Sequence, residues 1–277
     1  MRTMTSKIVL KSPREIELMR TAGAVVHRVL TEIESRVRPG VTTNELNQIA
    51  ERIISDAGGT ALFLGVENPQ ARFPFPASIC ASVNEEVVHG IPGDRELSEG
   101  DIISVDCGVR LKGYCADSAR TVPVGRPSAD VQRLMETTRE CLAIALEQIR
   151  PGVRWSRIAK QMQAVAQERG FGVVREFVGH GIGRDMHEEP KIPNYYDRSQ
   201  RGCDFELAAG MTLAVEPMIT LGRPEVGFGD SARWAVITKD RSPAAHYEHT
   251  VAVTEYGVSV LTDGNENEPD GAGGVTS

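Results

Sequence analysis

The segment ISVDCGVRLKGYCADSAR, residues 103–120, decides the fold class. Its two arms are rich in β-branched and small residues, and the Leu-Lys-Gly between them suits a tight turn, so it reads as an antiparallel hairpin. Each arm carries one aspartate, Asp106 and Asp117, among apolar or small neighbours. A two-residue loop puts both on one face. They are directly opposed if the loop is Leu111-Lys112 and offset by two if it is Lys112-Gly113, whereas a three-residue loop without a bulge separates them. On the first arm Ile103, Val105, Cys107 and Val109 form the apolar face, which assigns Asp106 to the other. Directly opposed carboxylates start only about 4.5–5.5 Å apart at Cβ and repel one another. An Arg or Lys, a shared proton or a metal ion must neutralise them; Arg110, on the Asp106 face by parity, or Arg120 would make the segment a salt-bridged hairpin.

Outward from the hairpin, the chain is written twice. VRPGVTTNELNQIAERIISDAGG from Val37 and IRPGVRWSRIAKQMQAVAQERGFG from Ile149 align without gaps at an offset of 112. Each follows a helical run opened by a serine, Ser12 with Pro13 behind it or Ser128, and each ends at a glycine stop, Gly58 or Gly170. Strands are expected over 78–83, 102–110 and 114–124 in the first half, and over 172–178, 211–219, 232–238 and 246–261 in the second. Helices grouped ahead of hairpin-linked strands predict an α+β protein, with an antiparallel sheet covered on one face by two pairs of helices and the other face free for a site. The expected organisation is an N-terminal segment 1–12, one domain over 13–263 in two related halves, and a disordered tail over 264–277.

With 277 residues, 40% hydrophobic and 25% charged, the chain has ample sequence for a core. A net charge of -7 offers no basic excess to attract phosphates, which argues against nucleic acid as the primary ligand and against an anionic membrane surface. No apolar run is long enough to span a bilayer and no secretory h-region opens the sequence, so the expected compartment is the cytoplasm. Five cysteines, an odd count without CxxC spacing, read as reduced thiols, with Cys107 and Cys115 as strand packing.

The second half carries two more acids in apolar surroundings. Glu216 sits in TLAVEPMIT, followed by Pro217, which confines that position to an edge or bulge. Glu248 sits in HYEHTVAVT on the face opposite Tyr247, His249, Val251 and Val253. Glutamate is depleted in strands, so the recurrence points to a site rather than to surface decoration. His180 lies between glycines in VGHGIGRDMHEEP, with His187 seven residues on. A nucleotide loop is disfavoured there, since no GxGxxG is present and no helix is expected to follow. Four carboxylates with one imidazole form an oxygen-rich, strongly negative set that suits a pair of harder divalent ions such as Mn, Fe or Co. His27, in a helix, and His249, on an apolar face, read as structural.

Asp106, Asp117, His180, Glu216 and Glu248, standing in VDCGV, YCADSART, GHGIG, VEPM and YEHTV, resemble the ligand set of the type I methionine aminopeptidases of the pita-bread fold. The resemblance runs from about Ser12 to about Leu261 and includes NEEVVHGIPG around His89. It implies a pita-bread fold with an internal pseudo-twofold repeat, and an enzyme that removes the initiator methionine from nascent chains when the second residue is small. Two divalent ions would be held, Co, Mn or Fe, with Zn a further candidate, by Asp106, Asp117, His180, Glu216 and Glu248. Metal-activated water would attack the peptide carbonyl, Glu216 taking the proton while His187 and His89 contact the amide. Phe75, Cys80, Met186 and Trp234 would wall the methionine pocket. The substrates would be nascent polypeptide N-termini, with the ribosome as a partner of a monomeric enzyme. Two positions depart from the commonest pattern: His246, where many relatives have Gln, and Val178, where many have Cys. The rival readings are an Xaa-Pro peptidase of the same fold, whose large N-terminal domain has no counterpart in the dozen or so residues ahead of the first helix, and a metal-free binding relative, which would be expected to lose ligands. The 28 residues between His187 and Glu216 leave no room for the helical insertion of the type II enzymes.

Overall fold

In a computed structural model that describes residues 8–264, both halves begin with a capped helix. The Ser12 hydroxyl accepts from the Glu15 backbone N–H while the Glu15 carboxylate accepts from that of Ser12, and Pro13 occupies the first turn of α1 (Pro13–Arg36). This capping box satisfies N–H groups that the helix cannot. Thr42 and Glu45 repeat the device on α2 (Thr43–Asp56). Strands β1 (Thr60–Ala61), β2 (Cys80–Val83) and β3 (Glu86–Val88) lead to the hairpin of β4 (Ile102–Leu111) and β5 (Tyr114–Pro123). The second half opens with α3 (Ala129–Gln148), capped by Ser128, and α4 (Trp155–Glu168). Then come β6 (Gly172–Val173), β7 (Gly179–Gly181), β8 (Glu188–Ile192), β9 (Thr212–Val215) and β10 (Met218–Thr220). The last strands are β11 (Val226–Phe228), β12 (Val236–Thr238), β13 (Ala244–His246), β14 (His249–Val253) and β15 (Val258–Val260). Gly58 and Gly170, at φ +68° and +82°, follow α2 and α4 in the left-handed conformation that ends helices.

The hairpin closes on Leu111 paired with Tyr114, leaving a two-residue loop of Lys112 and Gly113, both at positive φ. That turn matches the twist of the strands. Asp106 pairs with Ala119 and Asp117 with Gly108, so the two aspartates are offset by two on one face. The other face of β4, including Ile103, Val105, Cys107 and Val109, joins α1 and α2 in one buried core. A second core gathers α3 and α4 on β6, β9, β10, β13 and β14, so each half of the repeat buries its own helix pair.

Among the described residues all strand pairs are antiparallel, but the hydrogen-bonded ladders form four sheets rather than one. β9 pairs with β14, and β10 with β13, in one continuing register that opens between the two pairs. Glu216-Pro217 and Tyr247-Glu248 occupy the gap, so the two glutamates expected inside strands lie instead between strands, opposite each other. Pro217 has no N–H to continue the ladder. The 172–178 and 246–261 runs are likewise broken, and β1, β3, β7, β8 and β11 are additional short strands. Across the halves, the Glu248 N–H donates to the Ala119 carbonyl at 2.9 Å, and the Asp117 N–H donates to the Thr250 hydroxyl at 2.9 Å. These bonds bring the second pair of acids over the first. The expected tail lies outside the described residues except for Gly264, as do residues 1–7.

Candidate metal centre and adjoining cavity

The eleven residues singled out in the sequence all line one cavity of about 220 Å³. At its floor, β4 and β5 present Asp106 and Asp117, while the opened ribbon of the second half presents Glu216 and Glu248. Arg110 turns to Asp185 at 3.8 Å and Arg120 to Glu34 at 3.1 Å, so the salt-bridged hairpin is not what forms. Oδ1 of Asp106, Oδ1 of Asp117 and Oε1 of Glu248 are buried without a hydrogen-bond partner. Burial first, and then the neighbouring carboxylates, push Asp106 and Glu248 well above the ordinary carboxyl range; burial and Asp117 do the same to Glu216. Burial raises Asp117 to about 6, against a hydrogen bond from Asp106 that lowers it.

His180 comes from β7, whose glycines are there for space. Neither Gly179 nor Gly181 has a positive φ; a Cβ would overlap the Ala214 carbonyl at the first and the Glu189 carbonyl at the second. His180 Nδ1 lies 3.0 Å from the Gly181 carbonyl, which leaves Nε2 facing Glu216 Oε1 at 3.5 Å. Burial lowers its pKa to about 4, so the nitrogen is a neutral, metal-competent donor at pH 7. One oxygen or nitrogen from each of Asp117, His180 and Glu248 lies within 4.8 Å of the others. Crowded carboxyls that cannot all ionise, buried oxygens with no partner and a neutral imidazole form a hard donor set that divalent cations fit. His246 Nε2 is also buried and unpartnered, 3.7 Å from Glu216 Oε2 and 3.9 Å from Glu248 Oε2.

His187 reaches solvent at the rim, its ring 4.4 Å from that of His180. His89 follows β3 at φ +61°, an uncommon conformation for a residue with a Cβ, and its ring meets Phe177 at 5.5 Å and Trp234 at 6.4 Å. Burial, then His187, lowers its pKa to about 4. Beyond the acids the wall is apolar: Phe75 packs edge-on against Trp234 at 5.1 Å, the Trp234 indole N–H donates to the Phe73 carbonyl at 2.9 Å, and Cys80 and Met186 join them. Phe63, Val66, Val88 and Phe177 line the cavity too. They lie in or beside short elements with no periodic pattern, so no sequence signal separated them from ordinary core residues.

His27 Nδ1 lies 3.0 Å from Arg120, and His249 Nδ1 lies 2.8 Å from the Thr262 hydroxyl, contacts in keeping with structural roles. Cys80, Cys107, Cys115 and Cys141 are free and buried, and Cys115 pairs across the hairpin with Arg110 rather than with Cys107. No helix among the described residues is long and apolar enough to cross a membrane.

The profile of metallopeptidase family M24 matches residues 17–255. Methionine aminopeptidase 1 of Bacillus subtilis is 46% identical over 256 residues, covering 92% of this chain and 99% of its own. The crystal structure of methionine aminopeptidase from Thermotoga maritima superposes with a TM-score of 0.86 at 37% identity, over 92% of this chain and 99% of that one. Xaa-Pro dipeptidase from Bacillus anthracis shares the fold at a TM-score of 0.69 and 24% identity, but this chain accounts for only 62% of its length.

Proposed function

This chain belongs to metallopeptidase family M24, and on that premise we infer that it is a type I methionine aminopeptidase, a metal-dependent hydrolase that removes the initiator methionine from polypeptides whose second residue is small. The observation that carries the reading is the convergence of four acids, Asp117 and Glu248 buried and Asp106 and Glu216 half-buried, with a neutral imidazole at the end of an apolar cavity. Asp106, Asp117, His180, Glu216 and Glu248 would hold two divalent ions. Bound there, such ions polarise a carbonyl and bring the pKa of water toward neutrality.

The chain's own groups do the rest. Glu216 is the proton acceptor: its backbone carbonyl is held by Asn194 Nδ2 at 2.9 Å, and its carboxylate lies between two imidazoles at the cavity floor. His89, against Phe177 and Trp234 in the cavity wall, and His187, at the rim beside His180, contact the scissile amide and hold it over Glu216. Phe75, Trp234, Cys80 and Met186 exclude water and surround the methionine side chain with polarisable surface.

Oxygen-rich ligation favours Mn, Fe or Co, with Zn a further candidate. A monomer is the expected state, and a single catalytic domain over 13–263 is supported by cavity walls drawn from both halves. Work in the cytoplasm, on chains leaving the ribosome, is supported by the free thiols and by the substrate class.

Purified protein reconstituted with Mn²⁺ or Co²⁺ should release methionine from Met-Ala-Ser and leave Ala-Pro peptides intact. Cleavage of the Xaa-Pro substrate alone would overturn the assignment in favour of the dipeptidase reading.

A further inference from the structure

We propose that His246 is a positioning residue of this centre: its Nε2–H, poised between Oε2 of Glu216 and Oε2 of Glu248, would hold that pair when the two glutamates bind metal, leaving the Oε1 atom of each for the metal site. The inference rests on the metal site described above. His246 ends β13 directly across from Met218, just where the ribbon opens, so the register aims its ring into the gap that Glu216 and Glu248 occupy. It is 2% exposed, and its Nε2 has no hydrogen-bond partner.

The main chain of His246 is held at both its N–H and its carbonyl. The His246 N–H donates to the Thr121 hydroxyl at 2.8 Å, and the same hydroxyl donates to the His246 carbonyl at 2.8 Å. Thr121 belongs to β5, so the His246 main chain is pinned to the hairpin that carries Asp117. The two oxygens it faces are the outer ones: Glu216 Oε1 looks toward His180 Nε2, and Glu248 Oε1 is the buried oxygen without a partner.

At 3.7 and 3.9 Å the contacts are longer than hydrogen bonds, so the ring is poised between the carboxylates rather than bonded to either. The imidazole between the two carboxylates supplies a donor that needs no positive charge of its own. An arginine or lysine there would repel the ions, and an apolar residue would leave the outer oxygens unpaired. Partners of this kind fix the orientation of the ligating carboxylates, and their loss usually lowers metal affinity about 10–100-fold.

The test is Mn²⁺ binding to metal-free protein, followed by calorimetry and by the electron spin resonance of free ion, in wild type, His246→Ala, His246→Gln and Asp106→Ala. His246→Ala should bind Mn²⁺ about 10–100-fold more weakly. His246→Gln, which keeps an N–H donor, should remain near wild type, a rescue that a space-filling role would not predict. Pulsed spin resonance of bound Mn²⁺ should show the same nitrogen couplings in wild type and His246→Gln. Wild-type affinity in the alanine variant overturns the proposal, as does weakened binding by a folded His246→Gln. Loss of a nitrogen coupling in His246→Gln would make His246 itself a ligand and also overturn it. Should the alanine variant fail to fold, the glutamine variant and the spectra still decide. Undiminished binding by Asp106→Ala would instead remove the metal site on which the inference stands.

Discussion

Glu216 stands opposite Glu248 across a ribbon that has stopped being a sheet: the register joining β9 to β14 continues into β10 and β13, yet the ladder is open where the two acids meet. An intact ladder would leave these positions as two facing, repelling side chains. Opening it lets Glu248 donate its N–H to the first half's hairpin, which places its carboxylate over Asp117. The site is therefore built from two ribbons, one closed and one open, each supplying two acids.

That crowding predicts a trade between stability and metal binding at Asp106. Its carboxyl is raised by burial and by Asp117 and Glu216, so ionising it costs the metal-free fold at neutral pH. In Asp106→Asn the amide can donate to the Asp117 carboxylate and one charge is gone. The metal-free variant should melt several degrees above metal-free wild type at pH 7.5, while binding Mn²⁺ at least about a hundredfold more weakly. Calorimetric melting with and without Mn²⁺ measures both, and a lower melting temperature for the metal-free variant would contradict the argument.

The pH dependence of the metal-free protein follows from Asp117. Its pKa rises from 3.8 to about 6 on folding, chiefly through burial. A raised folded-state pKa means that the folded state binds the proton more tightly, so this group's stabilisation is full below about pH 4 and is lost as pH rises through 6. Metal-free wild type should therefore lose stability relative to Asp117→Asn between pH 4 and 6. With Mn²⁺ the order reverses above pH 6, because the ion binds the deprotonated acids. Denaturant titrations across that window test the sign.

The sequence carried the parts of this arrangement that have a period or a cap. Ser12, Ser128 and the glycines after α2 and α4 bounded the helices, and parity along β4 separated the aspartate face from the core face. Glu216 and Glu248 were legible as buried acids but not as residues between strands, because an apolar run reads as one strand whether or not its ladder is continuous. Only the pairing partner reveals the break. Phe63 and Phe177 were illegible for a related reason: they reach the cavity through tertiary packing, with no local pattern to mark them. His246 stood out as a departure from a familiar pattern, but its aim at two carboxylates depends on the cross-strand register.

Trp234 should separate binding from chemistry. Its ring packs edge-on to Phe75 at 5.1 Å in the apolar wall, beyond the four acids. Trp234→Ala removes one wall of the proposed methionine pocket and leaves a cavity, costing about 3 kcal/mol of stability. KM for Met-Ala-Ser should rise about tenfold or more with a smaller fall in kcat, since about 1.4 kcal/mol of lost side-chain contact is a factor of ten. Trp234→Phe, which keeps a ring, should lie between. A kcat effect larger than the KM effect in a folded variant would place Trp234 in the chemistry instead.

The glycine after His180 gives the sharpest test of how the imidazole is aimed. Gly181 is fully embedded between β8 and β9, and a methyl group there would overlap the Glu189 carbonyl oxygen, a backbone atom that cannot swing away as a side chain could. The strand must then shift, and with it the Gly181 carbonyl that holds His180 Nδ1. Overpacking of this kind typically costs about 1–3 kcal/mol, well within what a domain of this size survives. Gly181→Ala should thus fold with a lowered melting temperature, yet bind Mn²⁺ far more weakly than that loss alone explains, because Nε2 no longer faces Glu216. Gly202→Ala, where nothing stands within 4 Å of the added carbon, is the control that should leave both unchanged. Equal metal affinity in Gly181→Ala and wild type would mean that the His180 ring is aimed by something other than this close approach of backbones.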